Sequence, residues 1–309
     1  MVDEIARYKF NILHLHLTDD QGWRMEIKSY PELTTKGAWR VPRTGLWWDR
    51  EKPQPGEAAT YGGYYTQQQL KELVAYCAEK NIQVMPEIDV PGHSLAAIAV
   101  FPYLSCTKKN YEVNPGSKFY TEDDNALCAG NDSVYGFLEK VLSEVSAVFP
   151  FEYIHIGGDE CYKGFWKNCA VCQNRMKENN LKNENELQSY FIKRIQKFLQ
   201  SKGRVLIGWD EIMEGGADKN AIIEVWRGQE KAKEAIANGN SIIQTLYLDG
   251  PPASLTLQKS FAFDPLIAGV GVGDPQLAQA AVQAGHVFVK PEQLEPVHRN
   301  HFVDAVAED

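Results

Sequence analysis

The chain has 309 residues, a formal net charge of -9 and 44% hydrophobic residues. This length is sufficient for one large barrel or for two smaller domains. Its lysines and arginines are spread along the chain rather than clustered, which argues against nucleic-acid binding and favours neutral or polar partners. No apolar run approaches the roughly 20 residues of a membrane helix, and the N-terminus lacks the pattern of a secretory signal peptide. The sequence therefore predicts a soluble chain that binds neither nucleic acid nor membranes.

The chain begins with a short helical pattern and then alternates between β-rich and helical segments. Strands are predicted at residues 10–17, 82–88, 153–156, 204–208, 221–226 and 241–246. Such alternation is typical of a parallel α/β fold. No G-x-G-x-x-G follows an early strand, and polar residues follow several different strands, so a (β/α)8 TIM-type barrel is favoured over an open doubly wound sheet.

The helices between these strands carry their own signals. Thr66 and Gln69 form a capping box ahead of an apolar stripe that begins at Leu70. Further apolar stripes begin at Val134 and Leu187, with the spacing expected of amphipathic helices. All three helices are therefore expected to pack against the sheet.

The two ends of the chain fit the barrel less well. Residues 1–9 resemble the end of a helix that leads into the strand at residues 10–17, which places the first strand of a complete barrel upstream of Met1. Beyond residue 248 the pattern changes, and no strand is predicted in the last 25 residues. We therefore predict residues 1–248 as the core of a catalytic barrel that is incomplete or irregular at its first and last strands. Residues 249–309 are predicted as a divergent C-terminal part of the same barrel.

The six cysteines are too few for a disulfide framework in a chain of this length, although isolated pairs remain open. Cys161, Cys169 and Cys172 include one Cys-x-x-Cys. A closed tetrahedral zinc site needs a fourth ligand, which this group does not offer. Structural zinc is therefore not the favoured interpretation, and no metal ligand is predicted.

Two adjacent carboxylates, Asp159 and Glu160, follow a predicted strand through Gly157 and Gly158. The glycines allow the backbone to bend, so that both acids can enter one pocket. Two carboxylates in one site repel each other, so a raised pKa is expected on one of them. Acid catalysis of glycoside cleavage needs such a division. An isolated Asp-Glu pair is nevertheless most often an ordinary helix cap, so the neighbouring motifs decide the interpretation.

Five segments resemble, in order, the motifs of glycoside hydrolase family 20, the β-N-acetylhexosaminidases. They are residues 14–24 (HLHLTDDQGWR), 86–93 (PEIDVPGH), 155–160 (HIGGDE), 208–211 (GWDE) and 225–228 (VWRG). The resemblance covers roughly residues 5–246 and implies a (β/α)8 barrel without a cofactor or a metal. It also implies a retaining exo-enzyme acting on terminal non-reducing β-linked N-acetylglucosamine or N-acetylgalactosamine, in a periplasmic, extracellular or lysosomal-type compartment.

The resemblance implies substrate-assisted catalysis, an exception to the two-carboxylate rule of most glycosidases. The acetamido oxygen of the substrate attacks the anomeric carbon and gives an oxazolinium intermediate. Glu160 is then the general acid and base, while Asp159 orients and stabilises the acetamido group. Removing a general acid commonly costs about 10² to 10⁴ in rate.

The same resemblance assigns supporting roles to four further residues. Trp209 and Trp226 correspond to tryptophans that wall the acetamido pocket, although buried core tryptophans are the ordinary alternative. Asp19 and His93 correspond to a pair that supports the acid, with the imidazole linking one carboxylate to another.

Three elements of substrate binding depart from the family pattern. The sugar-binding arginine of the first strand is expected upstream of Met1, and Tyr247 is the candidate for the tyrosine that binds the acetamido oxygen. No Trp-x-Glu motif occurs in residues 255–309. Because a misplacement of about 1 Å can cost roughly 100-fold in rate, weak or absent turnover is expected of this chain.

Two other functions remain open from the sequence. His14 and His16 share one face of a strand, with His93 and His155 after later strands, as in a metal-dependent barrel hydrolase. No late-strand Asp ligand or bridging Lys accompanies them. A non-catalytic sugar-binding protein is the second alternative, because it would keep the aromatic walls without the substrate clamp.

Overall fold

A computed structural model describes residues 1–118 and 120–245, together with the backbone of residues 286–289. The strands are β1 (Ile12–His16), β2 (Thr18–Asp19), β3 (Gly22–Trp23), β4 (Trp39–Arg40), β5 (Tyr61–Gly62), β6 (Gln83–Glu87), β7 (Tyr153–His155), β8 (Val205–Trp209), β9 (Ile222–Val225), β10 (Ser241–Gln244) and β11 (His286–Val289). The α-helices are α1 (Val2–Arg7), α2 (Glu32–Thr35), α3 (Gln67–Glu79), α4 (Leu95–Val100), α5 (Asp132–Val148), α6 (Gly164–Lys167), α7 (Ala170–Glu178), α8 (Glu184–Ser201) and α9 (Gln229–Asn238). Short 3-10 helices cover Pro102–Leu104 and Asp210–Met213.

The centre of the fold is a parallel sheet with the strand order β10-β9-β8-β7-β6-β1-β11. With the helices between its strands it forms an incomplete (β/α)8 barrel, which confirms the predicted fold class. The six predicted strands correspond to β1, β6, β7, β8, β9 and β10. Two small antiparallel pairs, β2–β3 and β4–β5, lie in the connection between β1 and β6.

The prediction of no strand in the last 25 residues was wrong. Strand β11 lies there and pairs in parallel with β1, from Ile12 opposite His286 to Leu15 opposite Val289. Its sequence, HVFV, is a short, mostly apolar run without polar–apolar alternation, which by itself cannot be told from a segment of a buried helix. The other residues of the predicted 249–309 segment lie outside the described part of the chain, so its assignment stays a prediction.

The predicted helices form where their capping and apolar patterns place them. Thr66 accepts a hydrogen bond from the backbone N–H of Gln69 and completes the capping box of α3. Leu187 and Phe191 of α8 and Val141 of α5 are fully buried. Each such side chain contributes about 1.5 to 3 kcal/mol of hydrophobic stabilisation. In the parts of the chain described, every helix is too short or too polar to span a bilayer.

Candidate active site

The polar residues of interest meet at the carboxyl ends of β1, β6, β7, β8 and β9. Because these strands are parallel neighbours, their following loops open at the same end of the barrel. Asp19 follows β1, His93 follows β6, and Asp159 and Glu160 follow β7. The structure therefore brings together residues that lie far apart in the sequence.

Two glycines shape the loop that carries the carboxylates. Gly157 and Gly158 have φ of +65° and +99°, in the region that favours glycine. A Cβ on Gly157 would lie 1.7 Å from Oδ1 of Asp89, so no larger residue fits there. Glu160 follows with φ of +42°, a conformation that costs a non-glycine residue on the order of 1 kcal/mol or more. The strained backbone at Glu160 is typical of a functional position.

His93 lies between three of the carboxylates. Its Nδ1 is 3.1 Å from Oδ1 of Asp19, while its Nε2 lies 3.6 Å from Oδ2 of Asp159 and 3.5 Å from Oε2 of Glu160. Burial alone would lower the pKa of His93, but the charges of Asp19, Asp89 and Asp159 raise it well above its usual value. At neutral pH the imidazole is therefore a cation between carboxylates.

Asp159 has a raised pKa, but not through the expected repulsion from the adjacent Glu160. Burial is its largest cause and the charge of Glu87 adds to it, while His93 acts in the opposite direction. Burial and the nearby charge of Asp159 likewise hold the pKa of Asp89 well above its usual range. Oδ1 of Asp159 is buried and accepts no hydrogen bond from another described residue. The Asp159 side chain as a whole is 19% exposed.

The buried carboxylate of Glu87 lies next to three histidines, two from β1 and one from β7. His14 Nε2 and His16 Nδ1 lie 3.1 and 2.7 Å from Oε2 of Glu87, and His155 Nδ1 lies 3.1 Å from Oε1. Burial opposes ionisation of Glu87, but the charges of His16 and His155 hold its pKa well below the usual value. Both histidines of the His-x-His pair therefore lie against a protein carboxylate.

Trp209 lies next to Glu87 and His155 and is buried, with 8% of its surface exposed. Its Nε1 donates a hydrogen bond of 3.0 Å to Oε1 of Glu87. Its ring packs against His155, with centroids 4.8 Å apart and an edge-on geometry. These contacts fix the orientation of the indole ring.

Trp226 is half-buried at the end of β9 and is held by two acids from the end of β8. Its backbone N–H donates to Oδ2 of Asp210, and its Nε1 donates to Oε2 of Glu211 over 3.1 Å. Arg227 forms an ion pair with Asp210. Burial raises the pKa of Glu211 to about 7, with a further contribution from the charge of Asp159.

A family model described as glycosyl hydrolase family 20, catalytic domain, matches residues 1–265. A β-hexosaminidase of Porphyromonas gingivalis is 42% identical over 277 residues, which are 88% of this chain and 32% of that protein. The chain belongs to glycosyl hydrolase family 20. The resemblance read from its five motifs is thereby confirmed.

Solved structures of family 20 agree with this assignment. An exo-β-N-acetylglucosaminidase of Vibrio harveyi, solved in complex with N-acetylglucosamine, superimposes with a TM-score of 0.77 at 32% identity, covering 95% of this chain and 47% of that one. A β-hexosaminidase of Vibrio furnissii is 37% identical over 86% of this chain and 46% of its own length. This family 20 chain thus spans about a third to a half of the length of these relatives.

Other residues of the family 20 motifs have structural contacts. Trp23 is buried and donates to the carbonyl of Met25, and the guanidinium of Arg24 donates to the carbonyls of Ala38 and Gly63. They hold the connection after β1 rather than the pocket. Tyr247 lies outside the described residues.

The sequence did not indicate individual contacts for Glu87, Asp89 and Glu211, although all three lie in family 20 motifs. It gave no signal at all for Tyr120, whose hydroxyl donates to the backbone carbonyl of Glu160 over 3.4 Å. Tyr120 comes from the long connection between α4 and α5, and only the folded chain brings it to β7.

Proposed function

We propose that this domain is a retaining exo-β-N-acetylhexosaminidase, which hydrolyses terminal β-linked N-acetylglucosamine or N-acetylgalactosamine by substrate-assisted catalysis. The observation that carries the proposal is the position of His93, within 3.1 to 3.6 Å of Asp19, Asp159 and Glu160 at the ends of three strands. Its relatives in Porphyromonas gingivalis and Vibrio harveyi are a β-hexosaminidase and an exo-β-N-acetylglucosaminidase, which supports the same class of substrate.

Glu160 is the proposed general acid and base. Its side chain is 53% exposed, so it can reach a glycosidic oxygen that enters from solvent. In the first step the acetamido oxygen forms a bond to the anomeric carbon, the glycosidic bond breaks, and Glu160 gives its proton to the departing oxygen. In the second step water attacks the anomeric carbon of the oxazolinium ion, which reopens, and Glu160 recovers a proton from that water.

Asp159 is the proposed partner of the acetamido nitrogen. Burial raises the pKa of Asp159, so its anion is poorly stabilised in the free protein. The positive charge of an oxazolinium ion would favour that anion, and the interaction would therefore strengthen as the intermediate forms. The Asp159 side chain is 19% exposed, and its carboxylate is the proposed acceptor for the acetamido N–H.

Trp209 and Trp226 are proposed as the walls of the acetamido pocket, and Tyr247 as the donor to its oxygen. The indole N–H groups of both tryptophans donate to carboxylates, which fixes the orientation of the two rings. Trp226 is half-buried, whereas Trp209 is 8% exposed and packs against His155. Asp19 is proposed to hold His93 in place as a positioning residue. Weak turnover stays a prediction, because it depends on substrate-binding elements that lie outside the described residues.

The direct experiment compares nitrophenol release from nitrophenyl N-acetyl-β-glucosaminide, the galacto isomer and the 2-hydroxy β-glucoside. We expect slow release from at least one acetamido sugar and none from the glucoside, because the glucoside lacks the internal nucleophile. Equal rates on all three would contradict the proposal.

A second measurement separates the enzyme from a sugar-binding protein. N-acetylglucosamine thiazoline, a mimic of the cyclised intermediate, is expected to bind far more tightly than the free sugar. If calorimetry finds equal affinities, no hydrolysis, and sugar binding unchanged by Glu160→Gln, the non-catalytic alternative is correct.

A further inference from the structure

Four cysteines from distant parts of the chain converge on one point. Sγ of Cys128 lies 3.8 Å from Sγ of Cys169 and 3.6 Å from that of Cys172, which in turn lies 3.6 Å from that of Cys106. All four sulfur atoms lie within 4.8 Å of one another. Cys161, which the sequence grouped with Cys169 and Cys172, is not part of this cluster.

The cluster joins two segments of the polypeptide. Cys106 follows the 3-10 helix Pro102–Leu104, and Cys128 lies shortly before α5. Cys169 is the N-cap of α7, and Cys172 lies in the first turn of that helix. The first two residues belong to the connection between α4 and α5, while the other two belong to the connection that begins with Asp159 and Glu160.

The sulfur geometry matches a tetrahedral metal site. With a Zn–S distance of about 2.3 Å, the edges of a ZnS4 tetrahedron are about 3.8 Å long. Three of the six sulfur–sulfur separations, at 3.6 to 3.8 Å, are close to this value, and the other three are within 4.8 Å. A disulfide would require about 2.05 Å between sulfur atoms. The Cys-x-x-Cys of α7 also has the spacing common in structural zinc sites.

The surroundings of the cluster are closed and well packed. Cys128 and Cys172 are buried, and Cys106 and Cys169 are half-buried. A Cβ on Gly130 would lie 2.5 Å from the carbonyl oxygen of Val171, so the two segments touch through their backbones. Four sulfur ligands leave no open position for a substrate, which is the arrangement of a structural rather than a catalytic zinc.

We propose that Cys106, Cys128, Cys169 and Cys172 bind one Zn²⁺, which ties the connection between α4 and α5 to the segment that carries Asp159 and Glu160. On binding, each of the four thiols releases its proton to solvent, and the four thiolates with the dication give a site of net charge −2 (+2 − 4). The zinc takes no part in the glycosidase chemistry. Its role is to hold the segment after β7 against the rest of the barrel.

The first test measures metal in the unaltered protein. The full chain is purified without chelator and with zinc in the growth medium, and its metal content is measured by inductively coupled plasma mass spectrometry. We expect about one Zn²⁺ per chain. Replacement by Co²⁺ is expected to give the intense visible absorption of tetrahedral cobalt with sulfur ligands, and this readout needs no variant.

The second test removes single ligands. Cys128→Ser and Cys172→Ser are each expected to lose most of the bound zinc, whereas Cys77→Ala, at a buried cysteine in α3 outside the cluster, is expected to keep it. If a ligand variant fails to fold, the zinc content and the cobalt spectrum of the unaltered protein still test the proposal. Parent protein whose six cysteines are all reduced thiols and which contains no zinc would overturn the proposal. Mass spectrometry that finds two disulfides among the four cysteines would overturn it too.

Discussion

The two ends of the segment between residues 159 and 172 are built from opposite chemistry. At its beginning, Glu160 has a left-handed backbone, a side chain that is 53% exposed, and a charged imidazole as its neighbour. At its end, Cys172 is fully buried among sulfur atoms and the packed backbone of Gly130. The reactive end is strained and open to solvent, while the distant end is closed. Cys169 and Cys172, the proposed zinc ligands of this segment, would therefore anchor it at a point that is separate from the chemistry at Glu160.

Glu160→Gln is expected to produce the largest effect at the reactive end. The amide keeps the shape of the side chain but cannot transfer a proton, so kcat should fall by about 10² to 10⁴ while the melting temperature changes little. Steady-state hydrolysis of the nitrophenyl N-acetylglucosaminide measures it.

The matched control is Glu178→Gln on α7, in the same connection and with a side chain that is 66% exposed. Its kcat should equal that of the parent. Similar losses in both variants would mean that charge on this connection, rather than proton transfer at Glu160, supports turnover.

Cys172→Ser, at the buried end of the segment, is expected to lower the stability of the protein rather than the rate of the chemical step. Loss of the proposed zinc should lower the free energy of unfolding by on the order of 2 to 5 kcal/mol, while the carboxylates keep their chemistry. Thermal and urea unfolding with and without added zinc measure it. If the variant keeps its stability but its turnover is as low as that of Glu160→Gln, Cys172 supports catalysis rather than stability.

Glu211→Gln tests the electrostatics of the neighbouring strand ends. The pKa of Glu211 is raised from 4.5 to about 7 in the folded chain, so the folded state binds its proton more tightly than the unfolded state. Its contribution to stability is fully present below about pH 4.5 and is lost as the pH rises through about 7. The neutral amide removes this loss, so the variant should gain on the order of 1 to 3 kcal/mol relative to the parent at pH 8 and almost nothing at pH 4. A pH-independent difference in urea unfolding would argue against a raised pKa.

Asp19→Asn is expected to have the smallest effect, and it acts through His93. Asp19 is the nearest of the carboxylates that raise the pKa of His93, so its neutralisation should let the imidazole lose its proton at lower pH. The alkaline limb of kcat/KM should move by about one pH unit towards acid. A uniform loss of rate with an unchanged pH profile would indicate that Asp19 has only a structural role.

Much of the fold could be predicted from the sequence because its signals are local. The capping box at Thr66 and the apolar stripe from Leu187 depend only on neighbouring residues, and α3 and α8 form there. The alternation of strands and helices likewise indicated the barrel. Strand β11 was missed because His286–Val289 is short and its pairing with β1 depends on a partner more than 250 residues away.

The residues of the candidate site were likewise predicted where their sequence signal is local and missed where it is not. Asp159, Glu160, His93 and Asp19 lie in motifs, so the sequence predicted them and the structure brings them together. The cysteine cluster was not predicted, because Cys106 and Cys128 lie far from the Cys-x-x-Cys and only the folded chain brings them to it.

In the proposed mechanism the substrate's acetamido oxygen is the nucleophile, and Asp159 and Glu160 assist it. The most direct measurement is kcat/KM on nitrophenyl glucosaminides whose N-acetyl group carries zero, one, two or three fluorine atoms. Fluorine withdraws electrons from the carbonyl oxygen, so the account predicts a steep and progressive loss of kcat/KM across the series, with the unsubstituted acetyl fastest. Rates that are independent of fluorine content would contradict the account and would require a nucleophile supplied by the protein or by water.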